Sequence, residues 1–434
     1  MLFHTLTHYY IIRVRDKQEP VGTYFFLFRP PCFLFILKTI NFFKNSAIFS
    51  VFIRYFFDLI KKNILMKRKQ TMKLKNFWLA LALFCSVSLV AKAQTAQPWS
   101  KEKAWEWYNR LPWLNGVNYI PANAINYTAM WDKTSFSPKL IDSELQLMED
   151  IGMNCVRVVM QHAVYADNPK YFKKAFGRFL DICERHGILV MPIFFDDCAF
   201  GVNTDPVVGR QPEPLEGWYA WAWSPSPGYT MVVDEREHGK LETYVKDVMR
   251  TFRDDKRILA WDLYNEPTNS RYSERSWPLL RKVFQWAREI NPSQPITSGT
   301  YAENPKLEEF LSENSDIITF HMYADKEVTR KWMERMTAKG RPVICTEWMN
   351  RTRKSFLTEI MPMFKENRVG SMLWGLVNGK TQTHLPWGRR PEHGTYDGPW
   401  QHDLYHGNHT PYDAKEIDLI KSLNTDKRID VSKR

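Results

Sequence analysis

From Trp113 onward the chain alternates short apolar runs with longer stretches whose apolar residues recur every three or four positions. The runs are GVNYIPA (116–122), CVRVVMQ (155–161), ILVMPIFFD (188–196), ILAWDLYNE (258–266), PITSGTY (295–301), IITFHMYA (317–324), RPVICTEW (341–348) and GSMLWGLV (370–377). Their length and their β-branched and aromatic content predict strands, most of them apolar on both faces and so buried in a parallel sheet. The intervening stretches predict helices. PKLIDSELQLMEDIG has Ser137 as cap and Pro138 in the first position; YFKKAFGRFLDICERHG, LETYVKDVMRTFRDD and SERSWPLLRKVFQWAREI follow, and AKEIDLIKSL (414–423) comes after the eighth strand. Gly152, Gly187 and Gly340 stand where helices should stop.

Eight such units predict an α/β protein, a single-domain (β/α)8 TIM barrel rather than an open doubly wound sheet. No GxGxxG follows the first strand and no GxxxxGK[ST] occurs, so no nucleotide cradle is expected. Two insertions, 197–236 after strand 3 and 378–412 after strand 8, are rich in Trp, Tyr, Pro and Gly. Both follow strand C-termini, the end at which a barrel builds its site.

The N-terminus reads differently. Residues 72–93, MKLKNFWLALALFCSVSLVAKA, have a basic start at Lys73 and Lys75, an apolar stretch from Phe77 to Val90 and a small-x-small site at Ala91-Lys92-Ala93. That is the layout of a secretory signal peptide, assigned to 66–93, with cleavage expected before Gln94 and a periplasmic or secreted destination. The uncharged stretch is too short for a membrane span. Residues 1–65 hold 12 of the 27 Phe without sustained periodicity, and we read them as an upstream extension, with translation expected to start at Met66 or Met72.

This division changes the charge argument. The whole chain carries +12, but residues 1–93 hold 15 Lys and Arg against 3 Asp and Glu. What remains, 94–434, has 45 of each sign. Basicity therefore gives no reason to expect nucleic acid as a partner. Cys155, Cys183, Cys198 and Cys345 are widely spaced and match no zinc pattern. Free buried thiols are the expectation, with Cys183–Cys198 a possible pair in an oxidising compartment. Cys345, two residues before Glu347, is expected to face the barrel interior beneath the site.

In a barrel, strand C-termini converge on one mouth. The polar residues there are Asn118, Arg157, Asp196 and Asp197, Asn265 and Glu266, His321 and Tyr323, and Glu347, with Trp374 on strand 8. The fourth strand ends on two of them, ILAWDLYNEP, and a charge at the end of an apolar strand is costly unless it has work to do. Glu266 and Glu347, on strands 4 and 7, face each other across the mouth, as two-carboxylate glycoside hydrolysis requires. Strict alternation would send Asn265 and Glu266 to opposite faces, so the strand must bulge or end there. Pro267 fits such a break and biases Glu266 toward extended geometry. Retention of configuration implies carboxyls about 5–5.5 Å apart.

Strand 4 ending in Asn265-Glu266-Pro267, Glu347 on strand 7, Arg157 on strand 2, His321-x-Tyr323 on strand 6 and Trp374 on strand 8 together resemble the retaining glycoside hydrolases of clan A. The pattern is most similar to glycoside hydrolase family 5, the cellulase-like enzymes. The resemblance implies Glu266 as acid/base and Glu347 as nucleophile. It implies that Asn265 binds the sugar 2-hydroxyl, that Arg157 and Tyr323 hold Glu347, and that His321 and Trp374 line the cleaved sugar's subsite. Asn118, Asp196 and Trp387 complete the candidate substrate-binding set, and Trp218, Tyr219, Trp221, Trp223 and Trp400 are further candidates for stacking on sugar rings. No cofactor and no metal are expected: the insertion histidines His384, His393, His402, His406 and His409 have no ligand spacing, and strand 1 lacks HxH. The expected partner is a β-linked carbohydrate, with no nucleic acid, no membrane span and a monomeric chain. The competing readings are a carbohydrate-binding protein on a glycosidase scaffold and a metal-dependent amidohydrolase.

Overall fold

The computed structural model describes residues 96–201, 205–426 and Ile429, and the backbone of three short segments near the N-terminus. The chain divides into Met1–Lys92 and Ala93–Arg434. In the first unit Phe3–Leu6, Tyr9–Arg15 and Thr23–Phe28 form a three-stranded antiparallel sheet, which the sequence reading did not anticipate. The expected signal segment, 66–93, lies outside the described residues. Among the described residues no helix is long and apolar enough to cross a membrane.

Ala93–Arg434 forms the barrel. All eight predicted strands are present: β1 (Asn115–Asn118), β2 (Cys155–Val159), β3 (Leu189–Asp196), β4 (Trp261–Asn265), β5 (Ile296–Thr297), β6 (Ile318–Met322), β7 (Val343–Trp348) and β8 (Gly370–Trp374). They pair in parallel in the order β5-β4-β3-β2-β1-β8-β7-β6. The remaining seam, between β5 and β6, is closed by a bridge from Thr300 to Phe320, with Thr300 N–H donating to Thr319 and His321 N–H donating to Thr300. Strand 5 is the shortest because Pro295 precedes it and Gly299 follows two residues after it. Gly116 is required by the close approach of β1 and β2: a Cβ there would meet the Cys155 carbonyl oxygen at 1.7 Å.

The helices pack outside as their amphipathic patterns predict. Pro138–Asp150 begins at Pro138 as expected, but the Ser137 side chain makes no capping bond. Helix Pro169–Arg185 is capped instead by Asn168, which accepts from Tyr171 N–H. The stops at Gly152 (φ +73°) and Gly187 (φ +68°) lie in the left-handed region that glycine enters without strain.

The barrel interior is layered. At its N-terminal end Cys155, Leu189, Met191, Ile317, Ile344 and Met372 form an apolar floor. Helix Lys101–Asn109, missed in the sequence, plugs that end: Ala104 and Tyr108, four residues apart, pack on the floor with Trp99, Leu111 and Leu114. Above the floor lies a polar layer built on Arg157 and Asp262, both side chains fully buried.

Phase matters on three strands. Ile193 and Asp196 both line the mouth, Asp262 and Asn265 both bond Arg157, and Ile344 and Glu347 both face inward. Each pair is three residues apart, so simple alternation fails at the C-terminal ends. On β7 the register shifts between Cys345 and Glu347 against both neighbouring strands. Cys345 pairs with Phe320 and packs in the outer core, so the expectation that it lies beneath the site is corrected. The extra residue, Thr346, absorbs the bulge that turns Glu347 inward.

Candidate active site

Arg157 organises the floor of the mouth. Its Nη1 donates to Glu347 Oε1 (2.7 Å) and Asn118 Oδ1 (2.8 Å), Nη2 to Asp262 Oδ2 (2.7 Å) and Asn265 Oδ1 (2.6 Å), and Nε to Asp262 Oδ2 (2.9 Å). A planar guanidinium presents these donors in fixed directions, which a lysine could not do. Asn118 is itself consumed, donating to the carbonyls of Thr346 (2.7 Å) and Leu373 (3.1 Å). Arg157 and Asn118 thus lie beneath the cavity and hold its residues, and no atom of either lines it.

Glu347 is fixed from two sides, by Arg157 and by the Tyr323 hydroxyl donating to Oε2 (2.8 Å). Glu266 stands where β4 ends. Its φ is +46°, not the extended geometry expected before proline, and its carbonyl accepts from Asn269 N–H at 3.0 Å. The turn wins because the side chain is held in place at its far end, which outweighs a backbone cost of about 1–3 kcal/mol. Oε1 lies 2.6 Å from His321 Nδ1. Oε2 accepts from the Asn269 amide and from the Cys198 thiol, whose sulfur is 3.2 Å away. His321 Nδ1 is also 3.4 Å from Glu347 Oε2, and one oxygen of each glutamate lies within 4.8 Å of the other.

Burial pushes both carboxyls above the ordinary glutamate value. At Glu347 the Arg157 guanidinium opposes that push, the neighbouring Glu266 charge adds to it and the Tyr323 hydroxyl opposes it. At Glu266 the opposition comes from the Cys198 thiol and the Asn269 amide, neutral donors, with Arg157 farther off. His321 is lowered to about 4 by burial and is neutral at pH 7. Its Nδ1 faces two carboxyl oxygens while Nε2 has no partner, so the proton belongs on Nδ1, donated to Glu266.

Asp196 is buried and committed: Oδ1 accepts from Asn265 Nδ2 (2.8 Å) and Cys198 N–H (3.0 Å), and Oδ2 from Trp223 Nε1 (3.3 Å). Burial raises it to about 6. It orients Asn265 and Trp223 at the edge of the cavity. Asp197 turns away, accepting from Tyr264, Thr268 and Ser276.

The cavity above these groups encloses about 360 Å³ and is lined by Glu266, Glu347, Asn265, Asp196, His321, Tyr323, Trp374 and Trp387 from the expected set. Trp374 stacks on His402 (5.8 Å), and Trp387 stands edge-on to Tyr323 (4.9 Å). Tyr219 and Trp223 also line it, whereas Trp218, Trp221 and Trp400 do not. Cys183 and Cys198 are both free: Cys183 is in the helical shell and Cys198 in the site.

Among the described residues one close group of carboxylates and imidazole could be tested as a metal centre, Glu266, His321 and Glu347. Its members are already compensated, since Arg157 neutralises Glu347 and the His321 N–H occupies Glu266. Any cation would have to displace these partners and sit beside a guanidinium, so the donor set fits a hydrogen-bonded site.

The model of the cellulase family, glycosyl hydrolase family 5, matches residues 117–380. This chain belongs to glycoside hydrolase family 5. The match spans β1 to the start of the strand-8 insertion and contains both glutamates. No curated protein matches the family 5 chain. Among solved structures it is similar to the exo-beta-1,4-mannosidase Op5Man5 from Opitutaceae bacterium strain TAV5, at 17% identity and TM-score 0.51, over 72% of this chain and 59% of that one. It is also similar to a GH5_18 variant from Bifidobacterium longum subsp. longum in complex with Manb1-4GlcNAc, at 12% identity and TM-score 0.50, over 72% of this chain and 78% of that one. At such identities the shared property is the barrel.

Several residues of this family 5 site were not legible in the sequence. Asp262 sits inside ILAWDLYNEP, and a carboxylate within an apolar run was a usable signal for a buried ion pair. Cys198, Asn269 and Tyr301 line the cavity from loops, where no periodicity says which way a side chain points, and Tyr127 lines it from the start of the short helix Tyr127–Trp131.

Proposed function

We propose that the protein is a retaining β-glycosidase that hydrolyses O-glycosidic bonds of β-linked oligo- or polysaccharides by double displacement. The observation that carries this is the approach of Glu266 and Glu347 oxygens to within 4.8 Å, close to the roughly 5–5.5 Å carboxyl spacing of retaining enzymes and short of the roughly 6.5–9.5 Å of inverting ones. Glu347, kept ionised by Arg157 and Tyr323, attacks the anomeric carbon. Glu266, whose hydrogen-bond partners are all neutral groups, gives its proton to the departing glycosidic oxygen. That bond breaks as the Glu347–carbon bond forms. Glu266, now a carboxylate, then takes a proton from water, whose oxygen displaces Glu347 and restores both groups. Asn265, aimed by Arg157 and Asp196, is available to the sugar 2-hydroxyl, and Trp374 offers a face to the ring.

The test is covalent trapping. With a 2-fluoro-glycoside the wild type should carry one sugar on Glu347, located by peptide mass analysis, and Glu347→Gln should lose turnover and labelling together. Glu266→Ala should keep activity only on substrates with good leaving groups. Full turnover by Glu347→Gln would refute the mechanism. Export after cleavage at Ala93 belongs to the same proposal, and N-terminal sequencing of the protein recovered outside the cytoplasm should begin at Gln94.

A further inference from the structure

We infer that the enzyme is exo-acting and removes one sugar at a time from the non-reducing end, an inference that rests on the glycosidase reading above. The two insertions do not flank an open groove; they are stitched together. Tyr219 N–H donates to Arg389 (3.0 Å), Ala220 N–H to Thr381 (3.0 Å) and Gly217 N–H to Gln382 Oε1 (3.0 Å), while Gln382 Nε2 returns bonds to Leu215 (2.7 Å) and Trp218 (3.3 Å). The loop after β1 joins them, through Lys380 N–H to Ala122 (2.9 Å) and Asn126 Nδ2 to Ala222 (2.9 Å). Gly379 runs so close to Ala122 that a Cβ would meet its backbone at 2.3 Å. The described parts of the loops after β8, β1 and β3 therefore join into one wall.

The wall's inner surface is aromatic. Trp223 contacts Tyr127 (4.9 Å) and Trp374 (5.8 Å), and Trp387 Nε1 donates to the Tyr219 hydroxyl (3.1 Å) across the junction of the two insertions. Main-chain bonds and packed rings of this kind do not part for a passing polysaccharide without losing several contacts at once. On the opposite side, after β4, β5 and β6, the connections are short. There the cavity is bounded by Asn269, Tyr301 and Ala324, all partly exposed.

Chemistry sets the direction. The ring being cleaved must lie over Glu347 and Trp374, and the oxygen it loses must lie at Glu266. The leaving group then departs past Glu266, toward Asn269 and Tyr301, on the side of the short connections. Beyond the ring on the other side stands the wall. The cavity, about 360 Å³, lies near the small end of ligand pockets, roughly 300–1,000 Å³. It is a dead end for the non-reducing terminus, not a groove that a chain can cross.

The experiment uses the mature protein and aryl β-glucoside, β-mannoside, β-xyloside and β-galactoside to find the sugar, then reducing-end-labelled oligosaccharides of that sugar with free or chemically capped non-reducing ends. We expect monosaccharide alone from the earliest time, labelled chains shortened one unit at a time, no hydrolysis of capped substrates and no fall in polysaccharide viscosity. Oligosaccharides among the first products, or cleavage of capped substrates, would overturn exo action and leave the glycosidase standing. No turnover of any substrate and no fluoro-sugar adduct on Glu347 would overturn the glycosidase reading, and this inference with it.

Discussion

The Nδ1 of His321 stands 2.6 Å from Glu266 and 3.4 Å from Glu347, so a single imidazole touches both carboxyls of the site. With the ring lowered to about 4, its N–H orients Glu266 without bringing a positive charge between the two acids. We expect His321→Asn to lower kcat roughly 100-fold, in the range for loss of one preorganised donor. Because the ring does not titrate near neutrality, both limbs of the kcat/KM profile should persist in the variant. Both limbs should lie above the ordinary glutamate range, since burial raises both carboxyls. Loss of either limb in His321→Asn would assign that limb to the imidazole and refute this view.

Asp262 tests the layer beneath. It lines no part of the cavity, yet it receives two of the Arg157 bonds. Asp262→Asn removes one of the two carboxylates on the buried guanidinium; Glu347 remains as its counter-charge, so the loss should stay below the roughly 3–5 kcal/mol of leaving a buried charge unpaired. Chemical denaturation should show that loss. Kinetics should show kcat falling more than KM rises, because Arg157 would no longer be anchored beneath Glu347 and Asn265. An unchanged denaturation midpoint would sink the claim.

Cys198 offers a narrower measurement. Its thiol donates to Glu266 Oε2 and so favours the carboxylate form. Cys198→Ala removes that donor, raises the Glu266 pKa further and should move the basic limb of kcat/KM to higher pH. Cys198→Ser restores a donor and should move the limb back. The same limb in all three proteins would assign the thiol to packing alone.

Stability should depend on pH through buried histidines. Burial lowers His162 to about 4, and its ring packs edge-on to Tyr244. The unfolded chain binds this proton below about 6.5 and the folded chain only near 4, so the contribution is present above pH 6.5 and is lost as pH falls between those values. His162→Phe lacks that proton. Its stability relative to wild type should therefore improve by about 2–3 kcal/mol between pH 7 and pH 4. Parallel curves for the two proteins over that interval would show that His162 does not titrate as the structure implies.

The barrel was legible because its cause is periodic. Runs such as CVRVVMQ can only be buried on both faces, and eight of them with helices between leave few architectures. The plug helix escaped because Lys101–Asn109 buries only Ala104 and Tyr108, too little to mark a face. The glutamates were legible because charge at the end of an apolar strand needs a reason. What misled was strict alternation, which put Cys345 inside; one bulge at Thr346 reverses that face and turns Glu347 inward.

By itself, then, the sequence determined the strands, the barrel and the pairing of Glu266 with Glu347 across its mouth, because these follow from local pattern and from the cost of burying charge. Only the tertiary structure decided the phase of β3, β4 and β7, the left-handed turn at Glu266, the Arg157–Asp262 pair beneath the site and the joining of two distant loops into a wall. Each of these depends on which remote partner a side chain or backbone amide meets, and no local pattern carries that information.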